Sequence, residues 1–259
     1  MTIESNATTS VVGDETTPDA KPAQSGPAAP RPFVGRLVRL MLRRLCDRAD
    51  DYVLRRSLRL AGFRGVESIP TYTMPSELAT LYNLAMWCPP GARVLEIGSY
   101  LGASTCYLGA ALAHRGGTLT CVDTWQNQTM PEGERDTYGE FLRNVAPIHD
   151  RLTLVRKRAE DLTPADIPGP YDLVFLDGDH SYAATRRDFD LVRERVAGDG
   201  VVAFHDCAEW EGVSHVIGEA LACGQWALVG KVDNLMWMRR ANWSHASPQS
   251  RRELPSVDP

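Results

Sequence analysis

From residue 67 to residue 240, apolar runs of strand length alternate with segments of helix length. That alternation limits the folds open to this chain more than any other feature of it. Strand-like runs occupy 93–99, 118–125, 152–159, 171–179, 201–207, 226–232 and 235–240. Helix-like segments lie at 103–113, 133–146, 181–196 and 213–223, and a further helix is expected over 75–87, where Pro75 suits a first turn. Strands separated by helices pair in parallel, because a parallel crossover needs about a dozen residues. The last two runs are joined only by Asp233 and Asn234, a link that permits a hairpin and forbids a crossover. The expected fold is therefore α/β: a doubly wound, mostly parallel seven-stranded sheet that ends in an antiparallel hairpin.

The rest of the chain divides by composition. Residues 1–32 are rich in Thr, Ser, Pro, Ala, Asp and Glu and hold almost nothing large and apolar, so they are expected to be disordered. Residues 33–66 form a basic amphipathic segment in which Arg36, Arg39, Arg43, Arg44, Arg55, Arg56 and Arg59 interleave with leucines and valines at helical spacing. Two readings stay open for it. It packs on the main domain or on a second copy in a homodimer or higher oligomer, or its 33–62 stretch touches a membrane surface or an anionic ligand. The main domain is placed at 67–242, followed by a flexible tail at 243–259.

A net charge of −5 does not suit a general nucleic-acid binder, and no run reaches the ~18–20 apolar residues of a membrane span. The six cysteines lie more than ten residues apart, which excludes a CxxC zinc pattern and points to reduced thiols in a cytoplasmic protein. The N-terminus lacks the basic-then-apolar order of a signal peptide.

Two motifs follow the first two strands. Val94-Leu95-Glu96-Ile97-Gly98-Ser99-Tyr100-Leu101-Gly102-Ala103-Ser104 is a strand, a glycine turn and a helix start. Its glycines allow a tight turn and close approach of a ligand, and the helix beyond offers free N–H groups. Tyr100 breaks the dinucleotide pattern G-x-G-x-x-G, and Glu96 suits a ligand with an ammonium group better than a pyrophosphate. Asp123 closes the second strand 25 residues after Gly98, at the edge where open α/β sheets bind ligands, and can accept hydrogen bonds from ribose hydroxyls.

Residues 70–240 resemble the class I S-adenosylmethionine-dependent methyltransferases. The resemblance implies that Glu96, Gly98, Tyr100, Gly102 and Ser104 belong to the loop holding the methionine end of S-adenosylmethionine. It also implies that Asp123 is the ribose acid and that Ala159 and Glu160 lie on the adenine side. Trp125 is placed to pack on the adenine, or else belongs to the core.

Two further motifs, Asp177-Gly178-Asp179-His180 and His205-Asp206, end neighbouring strands on the same edge. Together they are similar to the metal-dependent sugar and macrolide O-methyltransferases, methyltransferase family 24. The similarity implies that Asp177 and Asp206 bind Mg²⁺ (or Mn²⁺) and that His180 is the general base. His205 stands where some relatives have a Glu ligand. Since Mg²⁺ prefers oxygen, His205 is either a ligand of a softer metal or a group behind the ligands. The chemistry agrees: a sugar hydroxyl has a high pKa, a divalent ion lowers it, and an imidazole can take the proton near neutral pH. The acceptor is expected to be a sugar or glycosylated metabolite. Asp177 or Asp179 could instead simply cap the helix near Ser181, and Trp210 is a candidate lining residue of the acceptor pocket. Two other readings compete. His180, His205 and a carboxylate could hold Fe(II) for oxygenase work, or the basic helices could make the chain a non-catalytic docking module.

Overall fold

The structure is a computed structural model that describes residues 49–128 and 131–241. The expected disordered segment 1–32, residues 33–48 of the basic segment and the tail 243–259 lie outside the described residues.

The described chain opens with helix α1 (49–60), followed by α2 (Pro75–Trp87), β1 (Arg93–Ile97), α3 (Ala103–Arg115) and β2 (Thr118–Asp123). Next come α4 (Tyr138–Asn144), β3 (Leu152–Arg156), β4 (Tyr171–Leu176), α5 (Tyr182–Arg193) and β5 (Val196–Phe204). The chain closes with α6 (Glu211–Ala222), β6 (Trp226–Val232) and β7 (Leu235–Arg240). The seven strands form one sheet in the order β3-β2-β1-β4-β5-β7-β6. β1 to β5 pair in parallel, whereas β7 runs antiparallel to both β5 and β6. The order reverses between β1 and β4. In a doubly wound sheet the crevice for a ligand opens there, at the carboxyl ends of the strands.

Both faces of the sheet are covered, so the central strands are mostly apolar. Val94, Leu173, Phe175 and Ala203 pack on one side with α2 and α3; Leu95, Ile97, Val174 and Val202 pack on the other with α5 and α6. Leu58, Phe63 and Val66 are buried in the first of these cores. The segment before residue 67 is thus part of the domain's packing, while Arg55, Arg56 and Arg59 on the same stretch stay exposed. Among the described residues no helix is long and apolar enough to cross a membrane.

Several element boundaries differ from expectation; β3 and β4, for instance, end at Arg156 and Leu176 rather than at 159 and 179. The helix expected over 133–146 is only Tyr138–Asn144, because the Asp136 carboxylate accepts from the Tyr138 N–H and sets a late start. α5 stops at Arg193, and β5 begins at Val196 rather than 201. The added residues cross Gly198 and Gly200, where the β4–β5 register shifts between Tyr171 and Leu173. An irregular, glycine-bearing strand start carries no clear alternation, so it reads as a loop.

Candidate active site

The turn after β1 is built around Glu96. Its carboxylate is fully buried and accepts hydrogen bonds from Ser99 Oγ at 2.7 Å, Ser104 Oγ at 2.6 Å and Thr105 Oγ1 at 2.5 Å. Burial pushes its pKa up against those hydroxyls, which pull it down. Glu96, expected to meet the ammonium of a ligand, is held here by three hydroxyls of its own chain. Its oxygens are taken by the start of α3, where a negative group also complements the helix dipole. Ser104 is likewise turned inward, to Glu96.

Gly98 has φ +89°, and a Cβ there would lie 1.9 Å from the Asp177 carbonyl oxygen. The Gly98 N–H donates to Val122 O, and the Asp177 N–H donates to Ile97 O. The turn after β1 thus lies directly against the turn after β4. Gly102, with φ +88°, caps α3 close to Phe141 and Val145. Tyr100 sits between the glycines with φ 44° and stays partly exposed beside Tyr72.

Asp123 organises the same edge. Its Oδ2 accepts from the Ser99 and Tyr100 N–H groups at 2.9 and 2.8 Å, and its Oδ1 accepts from the Trp125 N–H at 2.6 Å. It stands at the strand end where a ribose acid is expected, and it also ties the β1 and β2 turns together. Of the two readings of Trp125 the structure favours the core: the ring is fully buried between Phe141 and Tyr138, with ring centroids 4.7 and 5.1 Å away. Beyond β3, Ala159 packs on the core. Glu160 is exposed and ion-paired to Arg158 at 2.7 Å, so its carboxylate is directed to that guanidinium. Between these turns a cleft of about 420 Å³ opens, lined by Thr124, Gln126, Arg156, Lys157, Arg158 and Asp161. The glycine turn, the strand-end acid and this cleft fit a nucleoside cofactor laid across the ends of β1 to β3.

The second half of the site lies at the ends of β4 and β5. Ligand-type atoms of Asp177, His180 and Asp206 all fall within 4.8 Å of one another. His180 Nε2 is 2.8 Å from Asp206 Oδ2 and 3.9 Å from Asp177 Oδ1. His205 Nδ1 is 3.1 Å from Asp177 Oδ1 and 3.3 Å from Asp206 Oδ2. Both imidazole nitrogens are buried, yet neither is aligned for a hydrogen bond. Two carboxylates and the His180 imidazole converging within 4.8 Å, with His205 Nδ1 beside both carboxylates, fit a divalent cation.

Burial disfavours charge on all four groups. The contacts between them outweigh it, lowering the pKa values of Asp177 and Asp206 and raising those of His180 and His205. Asp206 has φ 56°, a conformation that costs a non-glycine residue energy and recurs at functional sites. Its carbonyl accepts from the Trp210 N–H, turning the chain so that the half-exposed Trp210 ring lies 5.0 Å from that of His180. Asp179 is no metal ligand here. It is exposed and accepts from the Ser181 N–H, while Ser181 itself caps α5.

Two buried acids carried no sequence motif. Glu77, at the third position of α2, is fully buried and contacts His205; an acid so placed reads as an ordinary helix-start residue. Asp188 on α5 is 3% exposed, its Oδ1 has no partner, and burial raises its pKa to about 6. The folded state therefore keeps this proton to higher pH than the unfolded chain does. Its contribution is fully present below the unfolded carboxyl value and is lost as pH rises through about 6. Asp188→Asn is expected to stabilise the protein by roughly 1–3 kcal/mol near pH 7.5, with the gain fading below about pH 5. Thermal melts of both proteins across that range check this.

Residues 95–207, from β1 to just past Asp206, match the family described as a methyltransferase domain, methyltransferase family 24. Over those residues the chain is similar to S-adenosylmethionine-dependent methyltransferases. Its fold is shared with the O-methyltransferase NovP at 17% identity, over 74% of this chain and 99% of NovP, with a TM-score of 0.57. An O-methyltransferase from Bacillus cereus solved with SAH is 17% identical, over 72% of this chain and 90% of its own, with a TM-score of 0.52. An SAH-bound methyltransferase from Podospora anserina is 14% identical, over 76% and 95%, with a TM-score of 0.51.

Proposed function

We propose that the domain moves the methyl group of S-adenosylmethionine to a hydroxyl of a sugar or glycosylated metabolite. Asp177 and Asp206 would hold a divalent cation, Mg²⁺ or Mn²⁺, and His180 would be the general base. The observation that carries this is the convergence of Asp177, His180 and Asp206 within 4.8 Å, on a turn in backbone contact with the Gly98 turn. That the B. cereus protein and NovP are O-methyltransferases supports an oxygen acceptor.

A divalent ion bound there would lower the pKa of a coordinated hydroxyl and fix its direction. His180 is assigned the proton because its side chain is 29% exposed whereas that of His205 is 3% exposed, so His180 is the imidazole that reaches an acceptor. The exposed Trp210 face beside it offers a flat apolar surface for the C–H face of a sugar ring. A second reading makes His180 a third metal ligand, favoured by its 2.8 Å approach to Asp206.

The test incubates the protein with S-adenosylmethionine and a panel of mono- and disaccharides and follows methylated product by mass spectrometry. Product is expected with Mg²⁺ or Mn²⁺, is expected to vanish in EDTA, and should return when the ion is restored. Full activity in EDTA after dialysis would exclude the metal, and methylation confined to non-sugar acceptors would exclude the sugar.

A further inference from the structure

Glu77 lies far from the sheet edge in sequence, on the first turn of α2, yet its carboxylate reaches the floor of the site. It is fully buried and has no Lys or Arg partner among the described residues. Oε2 accepts from the Met74 N–H at 2.8 Å and lies 2.9 Å from His205 Nε2. Oε1 accepts from the Asn234 N–H at 2.6 Å. Every contact is thus a donor, and a buried carboxylate left without one of them would be costly. His205 Nε2 therefore carries a hydrogen toward Glu77. The ring's other nitrogen, Nδ1, is then turned between Asp177 Oδ1 and Asp206 Oδ2, buried and without an aligned partner.

We infer that Glu77 is a positioning residue for the cation site: it holds the His205 ring so that Nδ1, rather than Nε2, faces the ion between Asp177 and Asp206. The inference rests on the metal reading above and deepens it. It makes His205 a group oriented from behind, as metal-facing histidines are when the second nitrogen donates to a carboxylate. The same carboxylate fastens α2 and the β6–β7 turn to the end of β5, so the ring has no freedom to swing. Ser76 Oγ to Asp233 in the same hairpin turn and Cys207 N–H to Asn234 O complete the clamp.

The decisive variant is Glu77→Gln in the full chain. An amide keeps the volume but replaces one acceptor oxygen with a donor, so it cannot receive both the Asn234 N–H and the His205 N–H. Mn²⁺ affinity, read by electron paramagnetic resonance of the free ion, is expected to fall about 10–100-fold. S-adenosylmethionine affinity by calorimetry should stay within about twofold, because Glu77 touches none of the Gly98 or Asp123 turns. In a His205→Ala background the same Glu77→Gln change should have no further effect on Mn²⁺. An equal loss in both backgrounds would mean that Glu77 acts only on the fold.

Should Glu77→Gln not fold, the wild-type protein still decides. Nitrogen and carbon NMR shifts of the His205 ring, assigned by difference from His205→Asn, are expected to show the hydrogen on Nε2. A hydrogen on Nδ1 with Nε2 bare overturns the inference. Mn²⁺ binding by wild type that survives Glu77→Gln unchanged overturns the inference and leaves the metal reading standing. Wild-type protein that binds no Mn²⁺ overturns both.

Discussion

His180→Ala is expected to lower turnover by about 10²–10⁴-fold, the loss that follows removal of a positioned general base. Its ring is the more exposed imidazole of the cluster, beside Trp210, and it makes no contact with the Gly98 or Asp123 turns. S-adenosylmethionine binding should therefore be unchanged. The metal distinguishes the two roles open to this residue. If His180 is the base, Mn²⁺ binding persists in the variant while turnover collapses; if it is a ligand, both fall together. Turnover within a fewfold of wild type at saturating acceptor would remove His180 from the chemistry and leave Asp206 and His205 as the groups to examine. Single-turnover rates with bound metal measured in parallel give the answer.

Gly98→Val is expected to abolish both halves of the site. A Cβ at this position would sit 1.9 Å from the Asp177 carbonyl, and φ +89° is itself unfavourable for a branched residue. The clash is with backbone, so no rotamer change relieves it; either the β1 turn or the β4 turn must move. S-adenosylmethionine binding should fall below detection, and Mn²⁺ binding through Asp177 should weaken with it. Gly98→Ala should already show the same double loss to a smaller degree. Calorimetry with each ligand separately checks this, and loss of the cofactor alone would show that the two turns are mechanically independent.

The fold was legible in the sequence wherever one physical rule acted alone. β6 and β7 fall where the apolar runs end, because Asp233 and Asn234 leave room only for a tight turn. α2 starts at Pro75, since proline at a first turn gives up an N–H that has no partner there. The start of β5 was not legible, because two glycines and a register shift erase the alternation that marks a strand. In the site, the placement of residues at strand ends follows from topology, and Asp177, His180, His205 and Asp206 do meet. The directions of side chains do not follow from topology. Glu96 and Ser104 turn toward each other at the α3 start, where Ser99 and Thr105 add hydroxyls, and Trp125 turns into the core against two aromatic rings of α4. Glu77 was invisible for the same reason: its partners stand 128 and 157 residues away in the chain.

That long reach sets an order of events during synthesis. The carboxylate that backs the site emerges early from the ribosome, but one of its donors, the Asn234 N–H, belongs to the turn before the last strand. A nascent or truncated chain ending before that turn has β1 to β5 and both catalytic-type motifs in hand, yet it holds a buried acid short of a donor and a Cys207 N–H short of its acceptor. A chain that stops short of the hairpin keeps both motifs and lacks the Asn234 donor to Glu77 and the Asn234 acceptor of the Cys207 N–H.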